Sequence, residues 1–443
     1  MNSNFLLHSP LAQQLYHEHA AALPVIDYHN HLDARSVAEN RQYENIAQLW
    51  VITDPYKHRA MRILGVPENK ITGDCSDYEK FEVWYESLPR LIGNSLFDWS
   101  QMELSTVFDF ELLPLKPCRE VWDILNEKLS AMATGDILSK FNIAYSAPCA
   151  SLADDLSVFN GKDLCPSLRG DDLLLPNPEL LQALGSPQTL FSYLSAVNAR
   201  LDAFREKGCR FSDHALDNGF IYVPDDGNNE SRFSDLLMGS AMEADDITAL
   251  RSFILSRLGA SYARVGFTMQ LHIGAQRTTS DRLRTLAGPA GGYAAIGNTA
   301  NVNALISLLH DIEQLPNGLP NTMLFTLNPA DNAMMATLCG SFSADGREAL
   351  VSQGPAWWWC DHYQGMTDML DTFASHSVLS TFIGMTTDSR SILSFVRHDY
   401  FRRVLCQWIA DMVAVHRLPD DPALLADTVR KMCYDNAKKR IGG

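Results

Sequence analysis

The feature that most constrains this chain is a short β-like run ending in a polar residue, which recurs eight times. The runs occupy residues 24–31, 142–146, 164–169, 209–214, 268–272, 322–328, 350–354 and 381–388. Helical patterns lie between most of them, at Leu190 to Lys207, Ile247 to Gly266, Asn301 to Gln314 and Tyr400 to Ala414. Strands that alternate with helices pair in parallel, and eight such units predict an α/β chain folded as a (β/α)8 TIM barrel. The active site of such a barrel lies at the C-terminal ends of the strands, where the polar residues of these runs fall. The stretch from Ser36 to Gly135 is too long for one crossover. It carries amphipathic segments at Tyr78 to Leu91 and Arg119 to Met132 and no Gly/Ser linker, so it is expected as a helical insertion over the barrel mouth. The expected division is residues 1–35 (N-terminal segment and first strand), 36–135 (insertion) and 136–443 (the rest of the barrel and the C-terminal helices).

Charge narrows the partners. Lys plus Arg number 36 against 53 Asp plus Glu, a net charge of −17, which disfavours a nucleic acid or an anionic membrane as partner. A few arginines can still make one pocket positive for a small anion. No unbroken apolar stretch is long enough to span a membrane, and the N-terminus lacks the basic n-region of a signal peptide. The nine cysteines form no C-x-x-C pair, which suits free thiols in a reducing cytoplasm. Phosphate-loop, dinucleotide and nucleophile-elbow motifs are all missing.

The strand ends supply the chemistry. His29 and His31 stand two apart, so on a strand both imidazoles face one side and can converge on a metal. An H-x-H pair also arises by chance, but the β-branched run and Asp27 before it place this one at a strand end. His272 ends the fifth run and is followed by Gly274 and Arg277; a satisfied core histidine is the alternative. Asp388 ends the eighth run as a metal ligand or a base, with Arg390 two residues on as a clamp for a carboxylate. Asp213 and His214 are neighbours, so only one can look inward. Of Trp357, Trp358 and Trp359, one can wall a sugar-like ligand, the others packing barrel against helices. Arg169 is an anion contact or a surface charge, and Arg41, Lys57, Arg59 and Arg62 read as surface charges.

His-x-His on the first strand, His on the fifth and Asp on the eighth is the residue order of the amidohydrolase superfamily. Within it the chain resembles the uronate isomerase (glucuronate isomerase) family. The resemblance is carried by Val25-Ile26-Asp27-Tyr28-His29-Asn30-His31, Arg59-Ala60-Met61-Arg62, Ser212-Asp213-His214-Ala215-Leu216 and His272-Ile273-Gly274-Ala275. Its longest carrier is Thr387-Asp388-Ser389-Arg390-Ser391, continuing to Arg397-His398-Asp399-Tyr400-Phe401-Arg402-Arg403. The family implies a distorted (β/α)8 barrel and reversible isomerisation of D-glucuronate to D-fructuronate and of D-galacturonate to D-tagaturonate. It also implies a single divalent metal, typically zinc. The superfamily's bridging lysine on the fourth strand has no counterpart here.

On this resemblance the metal ligands are His29, His31 and Asp388, and the catalytic groups are Asp388 (base), Tyr56 (proton donor), Arg390 and His272. Arg169, Arg277, Trp357 and His214 are assigned to the substrate. The expected partner is a small hexuronate, with neither nucleic acid nor membrane, in a possible homo-oligomer. Asp388 is assigned both as ligand and as base, a conflict the sequence leaves open. One departure stands out: the family reads Asp-His-Tyr-Lys-Trp-Arg where this chain has Asp54-Pro55-Tyr56-Lys57-His58-Arg59. Proline removes a side-chain donor and a backbone N–H. The alternatives are therefore a mononuclear zinc hydrolase and a sugar-acid binder whose activity Pro55 impairs. A second departure is Gly354-Pro355-Ala356 before the tryptophans, where the family is richer in glycine.

Overall fold

A computed structural model describes residues 2–442. Among the described residues nine strands form: β1 (Val25–Asn30), β2 (Ile143–Ser151), β3 (Ser167–Arg169), β4 (Phe211–Leu216), β5 (Thr268–Ile273), β6 (Ala275–Gln276), β7 (Ala295–Ile296), β8 (Thr322–Thr326) and β9 (Val351–Gln353). Seven make one parallel sheet in the order β1-β2-β3-β4-β5-β8-β9, and β6 pairs antiparallel with β7 in a small ribbon. The sheet curls into a half-barrel. Gln270 of β5 reaches the Tyr28 carbonyl of β1 at 3.5 Å, and Tyr28 stacks on Phe211 of β4 at 5.3 Å. Strands covered on both faces read as continuous apolar runs, and β1 and β5 are buried at every residue.

Seven of the eight expected runs are strands of this sheet. The eighth, 381–388, runs beside β1 but forms no ladder. The reason is that side chains of each segment take the backbone groups of the other. The His29 N–H donates to Thr386 Oγ1 at 3.0 Å, and the Thr387 N–H donates to the Asp27 carboxylate at 2.7 Å. Among the described residues only the Asp388 N–H to the His29 carbonyl (3.1 Å) and the His31 N–H to the Ser389 carbonyl (2.8 Å) join the two backbones directly.

Asp27 is the pin of this junction. Fully buried, it also accepts from Asn30 Nδ2 (2.8 Å), the Thr386 and Thr387 hydroxyls (2.9 and 2.8 Å) and His398 (3.1 Å). Burial would raise its pKa, but the hydrogen bond and charge of His398 and the donors of Thr387 outweigh it and hold the carboxyl below its usual range.

Between β1 and β2 the chain is helical, and the two expected amphipathic segments are helices Asp77–Ser87 and Cys118–Ser130. The first starts on a capping box, Ser76 with Glu79. Helix Pro55–Ile63 starts on Asp54, whose carboxylate accepts from the Tyr56 and Lys57 N–H groups, with Pro55 at the first helical position that proline favours. The apolar side chains of this stretch share one hydrophobic cluster with helix Val396–Ala414. Lys57 is not the surface charge expected of it. It is buried between Asp54 (3.0 Å) and Glu103 (3.2 Å), because a buried ammonium needs acidic partners.

Candidate active site

The C-terminal strand ends open into a cavity of about 520 Å³. His29, His31, Tyr56, Arg169, His272, Arg277, Trp357, Asp388 and Arg390 all line it. Residues from six separate stretches of the chain thus meet where the sequence placed a site.

Asp388 is the hub. Its backbone sits at φ +48, in the left-handed region where a short polar side chain is tolerated, and this turns the carboxylate into the cavity. Oδ1 lies 3.1 Å from Nε2 of both His29 and His31, and Oδ2 accepts from Trp357 Nε1 at 2.8 Å. Burial raises its pKa, yet the two imidazoles hold it well below the ordinary carboxylate range. On the other edge of the His29 ring, Nδ1 lies 3.6 Å from Cys149 Sγ and 3.9 Å from Asp213 Oδ1. His272 lies face to face with Trp357 at 4.8 Å, and its Nδ1 is 3.8 Å from Asp213 Oδ2. Burial and the nearby His29 keep His272 neutral, with a pKa well below the usual value.

Two groups of side chains have the composition of a metal site: His29 with His31 and Cys149, and His29 with Asp213 and His272. His272 Nε2 is buried without a hydrogen-bond partner among the described residues, and Asp213 Oδ2 has only the Arg169 guanidinium, at 3.1 Å. Buried polar atoms are rarely left so. Imidazole, carboxylate and thiol donors together suit a divalent transition metal, so the residues present fit one.

The arginines divide into two kinds. Arg169 pairs with Asp171 (2.7 Å) and Asp213 (3.1 Å), and Arg277 pairs with Asp217 (2.8 Å) while lying over Trp358. Arg390 and Arg251 also line the cavity but have no ion pair among the described residues, which leaves them free for an anionic ligand. Tyr56 stands on the opposite wall; burial and the charge of Asp361 push its hydroxyl well above the usual value.

His214 does not join the site. Strand alternation turns Asp213 inward and His214 outward, where it meets the Tyr262 hydroxyl at 2.8 Å and packs under Gly170. His58 does not stand in for the missing histidine at position 55 either. It is buried away from the cavity, and burial lowers its pKa to about 4. Trp357 and Trp358 line the cavity, whereas Trp359 stacks on Trp358 behind it.

Three residues at the site had gone unassigned. Parity left Asp213 and His214 equivalent, and only the helix behind β4 decides between them. Cys149 lies beyond the expected end of the second run, which continues to Ser151. Arg251 reaches the cavity from helix Ala244–Val265, where nothing in the sequence marks it.

The loop that joins β6 to β7 roofs the cavity with Pro289, Ala290, Gly292 and Ala294. It is fastened to helix Pro55–Ile63 and to the tryptophans. Arg59 and Trp359 both donate to the Ala294 carbonyl at 3.1 Å, and Arg62 donates to the Gly291 carbonyl. Gly292 sits at φ +80 against the Pro55 carbonyl, where a Cβ would lie 2.2 Å away, so only glycine fits.

The glucuronate isomerase family model matches residues 1–440. The uronate isomerase of Bacillus pumilus is 37% identical over 458 residues, covering 99% of this chain and 96% of that protein. The uronate isomerase of Caldanaerobacter subterraneus is 36% identical over 463 residues, covering 100% and 99%. The crystal structure of uronate isomerase from Thermotoga maritima superposes with a TM-score of 0.91 at 27% identity, covering 100% of this chain and 99% of that one. With the likeness running from one terminus to the other in both sequence and shape, this chain belongs to the glucuronate isomerase family.

Proposed function

We propose that the chain interconverts hexuronate aldoses and ketoses, D-glucuronate with D-fructuronate and D-galacturonate with D-tagaturonate, in the cytoplasm. The observation that carries this reading is the division of labour at Asp388, which lines the cavity: one oxygen faces two imidazoles and the other accepts from Trp357 Nε1. That division supports a reading in which Asp388 serves both as ligand and as base. His29, His31 and Asp388 would hold one divalent metal, zinc by donor chemistry, which when bound supplies Lewis-acid polarisation of substrate oxygens.

The chain's own groups do the rest. Asp388 Oδ2 takes the proton from C2 and returns it to C1, so the C2–H bond breaks and a C1–H bond forms. Tyr56 gives a proton to the carbonyl oxygen as the cis-enediol develops, and the second oxygen loses one when the enediol collapses. Arg390, with Arg251, meets the substrate carboxylate. His272 and Trp357 hold the sugar chain, and Arg169 and Arg277 bind its hydroxyls. The hydrolase alternative is not favoured by a family match that spans the chain.

The test is incubation with D-glucuronate and with D-galacturonate in deuterated water, followed by proton spectroscopy. Ketose should appear with the wild type. Asp388→Asn should lower kcat by about 10²–10⁴-fold, the usual contribution of a general base, with the fold unchanged. Binding without ketose in the wild-type, metal-loaded protein would sink the reading.

A further inference from the structure

Tyr56 is a partition between two cavities. On one side lies the cavity of Asp388; on the other lies a second cavity of about 590 Å³, lined by Asn94, Trp99, Asp361 and His362. The Tyr56 hydroxyl donates across this partition to Asp361 Oδ2 at 3.3 Å. The same oxygen accepts from Arg397 Nη1 at 2.9 Å, and Arg397 also donates to the Thr387 carbonyl at 3.1 Å. The Arg397 guanidinium lies over the rings of Tyr56 (4.2 Å) and Trp99 (4.3 Å). Asp361 and Arg397 are buried at 3% and 1% exposure, so neither is a solvated surface charge.

We propose that Asp361 is a positioning residue that fixes the Tyr56 hydroxyl and, in its acid form, replaces the proton that Tyr56 gives to the substrate. This rests on the assignment of Tyr56 as proton donor. The balance is simple. The Asp361 O–H bond breaks as the Tyr56 O–H re-forms, while the original Tyr56 O–H breaks as an O–H forms on the substrate's carbonyl oxygen. The proton released by the second substrate oxygen returns along the same pair. The second cavity, which Asp361 lines, gives that carboxyl a route to solvent separate from the substrate cavity.

Electrostatics favour this arrangement. A phenol facing an ionised carboxylate is a poor donor, and the Asp361 charge is the largest influence on Tyr56 after burial. Burial pushes the Asp361 carboxyl up to about 7, against the opposing pull of Arg397, so the acid form is populated near neutrality. The ionisable groups around Asp361 are Tyr56, Arg397, Asp388, Tyr400 and Cys360.

The experiment measures kcat and KM against pH for the metal-loaded wild type, Asp361→Asn, Tyr56→Phe and the double variant. Because the acid form is the active one, wild-type kcat should fall as pH rises through about 7. Asp361→Asn keeps the hydrogen bond but cannot pass a proton. It should lower kcat about tenfold or more with KM within about twofold, and abolish that alkaline fall. The double variant should be no slower than Tyr56→Phe. A wild-type kcat that stays level through neutral pH overturns the inference without recourse to any variant. So does a wild-type profile in Asp361→Asn when Tyr56→Phe is impaired. Full activity in Tyr56→Phe would instead overturn the assignment of Tyr56.

Discussion

Replacing Asp27 with asparagine tests how the catalytic carboxylate is held in place. Asp27 receives five hydrogen bonds in a fully buried position. An amide can keep one acceptor oxygen, so its NH₂ must face donors whichever way it turns. In one orientation it meets the Thr387 N–H, which cannot accept; in the other it meets Asn30 Nδ2, whose Oδ1 already serves the Leu32 N–H at 3.2 Å. One stranded donor costs about 1–3 kcal/mol. His398 at 3.1 Å keeps an acceptor only in the orientation that turns the amide oxygen toward it, so one donor is stranded either way and the cost stays at about 1–3 kcal/mol. Because Asp27 ties residues 386 and 387 to β1, Asp388 should shift as well. A displacement near 1 Å can lower turnover by about 10²-fold. Equilibrium urea unfolding followed by circular dichroism reads the first quantity, and kcat at saturating D-glucuronate reads the second. A variant within about 0.5 kcal/mol of wild type, the range of an ordinary surface change, with unchanged kcat would refute the role of Asp27.

Two further outcomes follow from packing and burial. His58 has its pKa lowered by burial from 6.5 to about 4, so its contribution to stability is full above pH 6.5 and lost as pH falls through 4. That loss amounts to about 3 kcal/mol at 1.36 kcal/mol per pKa unit, so unfolding free energies of wild type and His58→Gln should converge toward low pH; parallel curves would contradict this. At Gly170 an added Cβ would lie 2.2 Å from His214 Cε1, whose ring is held by Tyr262. Gly170→Ala should therefore lose about 1–3 kcal/mol by thermal or urea unfolding, and a neutral result would mean that the ring can yield.

Periodicity in the sequence located seven strands and the helices between them, because strands buried on both faces leave apolar runs that stand out against amphipathic helices. It overcounted by one. The run at 381–388 has the composition of a strand, yet Asp27 and Thr386 take the backbone partners a ladder would need, and that competition appears only when residues 359 positions apart meet. At the site, strand-end residues were legible because their spacing fixes their direction. His29, His31, His272 and Asp388 all reached the cavity. Direction failed for His214, since parity alone cannot tell which face of β4 looks inward. It was silent for Asp361 and Arg251, which stand outside the strands and owe their places to tertiary packing. Lys57 looked like a surface charge because one of its two acidic partners, Glu103, comes from a helix 46 positions away.

The roof of the cavity is fastened by Arg59, Arg62 and Trp359, and every one of those bonds ends on a main-chain carbonyl. Such fasteners are indifferent to which side chains the roof carries. Apart from Gly292 and Gly291, where an added Cβ would lie 2.6 Å from Ala287 Cβ, side-chain changes on the roof leave these fasteners in place. The ceiling can thus change the side chains it presents to the cavity while the floor, with its imidazoles and carboxylates, keeps its geometry.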